Sequence, residues 1–209
     1  NIVVAGANDA PTFSVGRSLF VSEDSGTTNF AFKIADVDGA SSGVAVTATS
    51  SNPAVVPEAN LVVSGTGTNR TLAITPLTNA FGTATIQLTA TDTAASNTTT
   101  FALTVRPVND PPSFTLTTDQ VVVAEDSFLT LNNFAINLST GPANEFSQGL
   151  LFVLTTTNRA FFTAQPSINS AGSLLLKSAP NVTGTNEVTV VLQDTGGTSL
   201  GGTNKSSAQ

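Results

Sequence analysis

The sequence predicts an all-β protein built from two tandem Greek-key β-sandwich domains. The prediction rests on an internal repeat, on apolar residues that alternate with polar ones, and on Pro, Gly and Asn clusters that cut the chain into short segments. No window carries a credible long amphipathic helix.

Laid over itself at an offset of about 101 residues, the chain matches in several blocks. Asn8-Asp9-Ala10-Pro11-Thr12-Phe13 returns as Asn109-Asp110-Pro111-Pro112-Ser113-Phe114, and Val21-Ser22-Glu23-Asp24-Ser25 returns as Val123-Ala124-Glu125-Asp126-Ser127. Phe30-Ala31-Phe32-Lys33-Ile34 is echoed at Asn132–Ile136, and Leu88-Thr89-Ala90-Thr91-Asp92 at Val190–Asp194. The repeat makes 209 residues two domains of about 100, each able to close one sandwich core. The expected division is a strand and linker at 1–10, a first sandwich at 11–108 and a second at 109–209. Between them, Arg106-Pro107-Val108-Asn109-Asp110-Pro111-Pro112 is a stiff break, because proline donates no ladder hydrogen bond and holds the chain extended.

The elements follow in chain order. Asn1-Ile2-Val3-Val4-Ala5-Gly6 has the apolar character of a strand but no domain of its own. Phe32 and Ile34 alternate with Lys33, which is expected in solvent. Turn signals stand at Asp38-Gly39, Asn52-Pro53, Gly65-Thr66-Gly67 and Asn79-Ala80-Phe81-Gly82. Ile86, Leu88 and Ala90 then alternate with Thr85, Gln87 and Thr89, and Phe101, Leu103 and Val105 with Thr100, Ala102 and Thr104. In the second copy Gly141-Pro142 and Gly196-Gly197 mark turns, and Val188, Val190 and Leu192 form one face of a strand. Thr fills the outward positions, where its β-branched side chain favours extended backbone. The second copy is expected to lack its last strand, since nothing after Gln209 matches Thr99–Val105.

Composition removes several function classes. With 7 Lys+Arg against 14 Asp+Glu, net charge -7, the chain has no electrostatic footprint for nucleic acid or an anionic membrane. Its hydrophobic runs are too short to cross a bilayer. With no His and no Cys there is no His-dependent triad, thiol nucleophile, structural zinc site or redox motif. The acidic pairs Glu23/Asp24 and Glu125/Asp126 recur at the same point of each copy, which is the mark of a shared turn rather than of glycosidic chemistry. The chain is therefore expected not to be an enzyme. The 13 Phe serve cores, with Phe32, Phe101, Phe114 and Phe134 in strand patterns, and the adjacent Phe161-Phe162 stands apart: one of the pair faces outward if it lies in a strand, or both are buried at an edge or loop. Lys33, Lys177 and Lys205 are the lysines available for an isopeptide crosslink.

A Cys-free, Thr/Ser/Asn-rich all-β chain reads as extracellular and bacterial or archaeal. Its start at Asn1 is expected of a processed product or of a segment of something longer. Asn-x-Ser/Thr triplets, the glycosylation pattern, begin at Asn69, Asn97, Asn137, Asn181 and Asn204.

Val108-Asn109-Asp110-Pro111-Pro112, the Glu-Asp pairs at 23–24 and 125–126, Asp36-Val37-Asp38 and Ala90-Thr91-Asp92 together resemble the cadherin-like and Ig-like tandem repeats of bacterial surface proteins and adhesins. The likeness covers nearly the whole chain and is specific for architecture. It implies calcium at domain junctions, held by a linker Asn-Asp, an Asp-x-Asp, an Asp after the penultimate strand and a Glu of the preceding domain. Carried over, Asp9, Asp36, Asp38 and Asp92 would cluster at one tip of the first domain with Asn8 nearby, and Glu23, Asp110 and Asp194 would meet at the internal junction. The chemistry suits Ca²⁺, which takes six to eight hard oxygens. Leu138 and Thr140 stand where the second Asp-x-Asp should be, and neither copy has the Asp-Arg-Glu motif of many cadherin sites. At the junction the favoured reading is that the aspartates cap turns.

The functional expectation is an extracellular structural module, a subunit or repeat segment of a head-to-tail fibre or adhesin stalk. Its partners would be copies of itself or adjacent repeats, with Asn1–Gly6 entering the open edge of a neighbouring second domain. The alternative is an adhesin module that binds a glycan or protein ligand through loops such as 137–149, and a third possibility is an accessory domain attached to an enzyme. Absence of Trp and Tyr weighs against sugar binding by flat aromatic faces.

Overall fold

The computed structural model describes residues 1–3 and 6–209. The chain forms two compact units, Asn1–Pro107 and Val108–Gln209. Both are all-β, with only short 3-10 turns between strands.

Unit 1 has strands β1 (Thr12–Ser14), β2 (Ser18–Ser22), β3 (Thr28–Ala35), β4 (Ala45–Ser50), β5 (Leu61–Ser64), β6 (Asn69–Ile74), β7 (Gly82–Thr91) and β8 (Ser96–Arg106). They make two four-stranded sheets, β1-β3-β6-β5 and β2-β8-β7-β4. Every pairing is antiparallel except β2 with β8, which runs parallel from Ser18 opposite Ala102 to Ser22 opposite Arg106. The period-two pattern sends Phe32, Ile34, Leu72 and Ile74 inward from one sheet and Ile86, Leu88, Leu103 and Val105 from the other, and all are buried. Phe30 stacks on Phe101 with ring centroids 4.5 Å apart. Lys33 is exposed, as its phase requires. Arg70 is buried without an acidic partner in its hydrogen bonds; its guanidinium donates instead to the backbone carbonyls of Gly65, Gly67, Ser41 and Val44.

Unit 2 has β9 (Ser113–Leu116), β10 (Phe128–Leu131), β11 (Ala135–Ser139), β12 (Leu150–Thr156), β13 (Phe162–Ile168), β14 (Leu174–Ser178) and β15 (Val188–Asp194). They pair as β10-β14-β13, β11-β9 and β12-β15. Where unit 1 has the single strand β3, unit 2 has β10 and β11, because Asn133 takes a left-handed φ of 54° between them. Beyond the break, the Ala135 amide donates to the Gly172 carbonyl at 2.9 Å. Phe134 is buried inside this break rather than in a strand. Pro166 sits in the edge strand β13, where the register slips between Ala164 and Ser167, the place at which a sheet tolerates proline. Phe114, Phe152, Ile168, Leu174, Leu176, Val190 and Leu192 form a separate core, with Phe114 meeting Phe152 edge-on.

Two further features belong to unit 2. No strand follows β15 among the described residues, but the chain does carry the opening of one. Residues 204–209 run antiparallel along β15, with Asp194 donating to Asn204, Ser206 to Leu192, and Val190 and Gln209 exchanging both bonds. Phe161 and Phe162 are both half-buried, Phe161 on the 3-10 turn Arg159–Phe161 and Phe162 at the start of edge strand β13, packed against the core, so of the two alternatives the pair is nearer to the edge or loop one.

Candidate functional site

At one tip of unit 1 the structure joins the aspartates that the sequence singled out. Asp36 follows β3 and its Oδ1 accepts the amides of Asp38 (2.9 Å) and Gly39 (3.1 Å). Asp38 accepts the Asp9 amide at 2.5 Å. Asp92, after β7, accepts the amides of Ala94 and Ala95, both at 2.7 Å, and the Asn8 side-chain amide at 3.0 Å. These bonds, those from Ala94 and Ala95 foremost, hold the Asp92 carboxyl below the usual carboxylate range. Asp9, Asp36, Asp38 and Asp92 thus form one hydrogen-bonded group. Their oxygens are chemically suited to a hard cation, but the observed arrangement turns them onto backbone amides. Among the described residues no three acidic side chains are grouped as a metal would need them.

The corresponding tip of unit 2 is built differently. Asn109 donates to both Asp194 oxygens (3.1 and 3.3 Å) and to the Thr203 carbonyl (2.7 Å). Gln148 donates to Asn109 Oδ1 at 2.7 Å, and the Asp110 amide donates to Glu145 Oε1 at 3.0 Å. Asp194 is buried, and Glu145 is only 7% exposed. Burial first, then the charges of Asp110 and Asp194, pushes the Glu145 carboxyl above its usual range, against the Asp110 amide bond that lowers it. Glu145, on the 3-10 turn Ala143–Glu145 inside the 137–149 loop, was not among the sequence candidates. In the repeat alignment it stands opposite Gly43, so the repeat itself gave no acidic signal there.

Glu23 is buried in unit 1, its amide donating to the Arg106 carbonyl at 2.9 Å. The two acidic pairs occupy one recurring turn: Asp24 and Asp126 take φ of 56° and 58°, and Ser25 and Ser127 each bond back to the carbonyl three residues earlier. Of the Asn-x-Ser/Thr asparagines, Asn69, Asn97, Asn137 and Asn181 are exposed and Asn204 is half-buried. Asn97 is engaged, donating to the Pro11 carbonyl at 2.9 Å.

The remaining feature is an open edge in unit 2. In unit 1, β8 lies between β7 and β2 and buries Leu103 and Val105 completely or nearly so. In unit 2 the residues matching β2, 120–124, form no strand, and those matching the first part of β7, 184–187, drop out of β15. Val123 and Val188 are half-buried, whereas their counterparts Val21 and Ile86 are buried. At the other end of the chain Ile2 is 94% and Val3 87% exposed, in no strand; Val4 and Ala5 of the expected inter-unit strand lie outside the described residues.

No protein-family model matches the chain, and no curated protein matches it. Solved structures do. The chain is similar to the EC1-2 domains of human protocadherin-24 with a TM-score of 0.54 at 16% identity, covering 97% of this chain and 95% of that one. The titin z1z2 domains in complex with telethonin give 0.40 at 17% identity over 92% of each chain. An endo-fucoidan hydrolase gives 0.41 at 18% identity, and there the match spans 28% of the enzyme. The likeness to the protocadherin domains shows the fold: two tandem β-sandwiches. No helix among the described residues is long and apolar enough to cross a membrane.

Proposed function

We propose that the chain is an extracellular structural module, a repeat or subunit of a surface fibre or adhesin stalk, joined head to tail by β-strand complementation. The observation that carries the reading is the half-open edge of unit 2. Val188 and Val123 are left half-buried where unit 1 inserts β8 between the equivalent residues. The sequence of residues 1–6 fits that place. Aligned on Asn8-Asp9 and Asn109-Asp110, Ile2 and Val4 fall opposite Leu103 and Val105, the core-facing residues of β8. An incoming strand would satisfy backbone groups on both sides, parallel to 120–124 and antiparallel to 184–188, as β8 does in unit 1. Between separate chains this contact is heterologous and grows an open filament; within one chain it continues a repeat array. Calcium at the Asp9/Asp36/Asp38/Asp92 tip belongs to the same reading, as a clamp beside each joint.

The test works for either case. Residues 1–7 are appended after Gln209 in a variant from which the original 1–7 are removed. A net gain of each kcal/mol raises the melting temperature of a domain this size by roughly 4–8 °C. The expected result is a higher melting temperature for unit 2, with slowed amide exchange at 121–124 and 184–188. Unchanged melting and exchange would reject strand complementation and favour ligand binding through the 137–149 loop.

A further inference from the structure

We propose that unit 2 pairs with a second copy of this chain along the free edge of β12, antiparallel and about a two-fold axis at Val153. β12 is hydrogen-bonded to β15 alone, and the bonds on the far side of β15 fix which β12 backbone groups are already used. Val190, Leu192 and Asp194 turn their backbone groups to residues 204–209. Thr189, Val191 and Gln193 therefore face β12, where they stand opposite Thr155, Val153 and Leu151. The Thr157 amide, which donates to the Glu187 carbonyl at 3.1 Å, continues the same alternation. Leu150, Phe152, Leu154 and Thr156 are left with their amides and carbonyls directed at the outer edge, where no strand among the described residues pairs with them.

Edges of this kind are normally guarded by charge, proline or a bulge. This one is not. Gly149-Leu150-Leu151-Phe152-Val153-Leu154-Thr155-Thr156-Thr157-Asn158 has no charge and no proline, in a chain of net charge -7. The register against β15 is unbroken from Leu150 to Thr156, so no bulge turns the edge away. By their registers against β7 and β15, β4 of unit 1 carries Ala45, Thr47 and Thr49 on its outward face where β12 carries Leu151, Val153 and Thr155. Leu151 is 64% and Val153 39% exposed.

Two observations select a second copy as the occupant. The 7 residues of β12 pair in full with their own copy only when the midpoint, Val153, lies on the axis. Phe152 then exchanges both bonds with the partner's Leu154, Val153 meets its own copy in a close non-hydrogen-bonded pair, and Leu151 lies beside Thr155. Charge is also complementary. Asp194 stands opposite Leu150 at one end of the strand, and the exposed Arg159 follows Thr156 at the other. The two-fold axis brings each arginine toward the other copy's acidic end; the exposed Glu187 stands beside Thr157, one strand further from the edge. The contact is independent of the head-to-tail reading, because an incoming strand would lie on the opposite side of β15. It also closes at two copies, which a head-to-tail contact does not.

The experiment is analytical ultracentrifugation of the full chain together with disulfide trapping. The chain has no cysteine, so one introduced at 153 can pair only with its own copy. In the proposed register the two Cα atoms at 153 lie about 4.5 Å apart, within the range a disulfide spans. Val153→Cys should form a covalent dimer on mild oxidation, and Thr47→Cys, at the matching exposed place of unit 1, should not. The unaltered chain should show a concentration-dependent association. Val153→Lys sets like charges on the axis and should raise its dissociation constant at least about tenfold while the chain still melts cooperatively. Sedimentation as a monomer at every concentration overturns the proposal, and so does Val153→Cys that crosslinks no faster than Thr47→Cys. Association that Val153→Lys leaves unchanged overturns it too, and places the contact elsewhere on the chain.

Discussion

Asp92 and Glu145 are carboxylates driven in opposite directions by their surroundings, and their pH signatures should oppose each other. Asp92 gains amide donors on folding, so its folded pKa is lowered. Its contribution is present above the unfolded value, near 4, and is lost as pH falls through the folded value. Glu145 is raised by burial, so its contribution is full below the unfolded value and is lost as pH rises through the folded one. In chelator, acidification below pH ~4 should therefore weaken unit 1 through Asp92, and Asp92→Asn should flatten that dependence. Raising the pH from ~4 should weaken unit 2, and Glu145→Gln should remove that loss. Denaturant melts at several pH values, resolved by unit, check both. Of these residues Asp92 was legible in the sequence, because it ends a regular alternating strand inside a repeated block. Glu145 was not, because loop residues follow no period and its partner in the alignment is a glycine.

The strands were largely readable because burial in a sandwich imposes a period of two, and Ile86, Leu88 and Ala90 obey it without exception. The turns were readable because they require glycine, asparagine or proline, as at Gly65 and Gly67, with φ of 92° and 70° between β5 and β6. Two features escaped. The split of one strand into β10 and β11 depends on a single left-handed asparagine, Asn133, flanked by residues that otherwise suit a strand. The pairing of 204–209 with β15 depends on backbone bonds from a polar segment with no apolar alternation. The split has a testable anchor at Gly172, φ 78°, where an added Cβ would lie 1.9 Å from the Ala135 carbonyl oxygen. Gly172→Ala should destabilise unit 2 by about 2 kcal/mol or more, read as a lower urea midpoint with unit 1 unchanged.

For the molecule as a whole, the calcium proposed for the unit 1 tip is tied to net charge. The chain carries net charge -7, and part of that charge is concentrated in the Asp36/Asp38/Asp92 and Asp110/Glu145/Asp194 groups. A cation that binds only folded protein stabilises by mass action, about 2.7 kcal/mol at 100 times its Kd. Melting should therefore rise with CaCl₂ and fall in EDTA, and the combined Asp36→Asn/Asp92→Asn variant should lose that response. Equal melting with and without EDTA would reject the calcium proposal.

The parallel pairing of β2 with β8 has a mechanical consequence. The chain enters unit 1 ahead of β2 and leaves it after β8, and the two strands point the same way. Tension that reaches β2 from its N-terminal side, past β1, and β8 from its C-terminal side drags the two strands past each other along their length. Backbone bonds from Ser18 through Ser22 are then loaded together in shear, rather than opened one after another as in a peeled hairpin. A strand pair loaded in this way gives way when its bonds break together, so its resistance to pulling is collective rather than sequential.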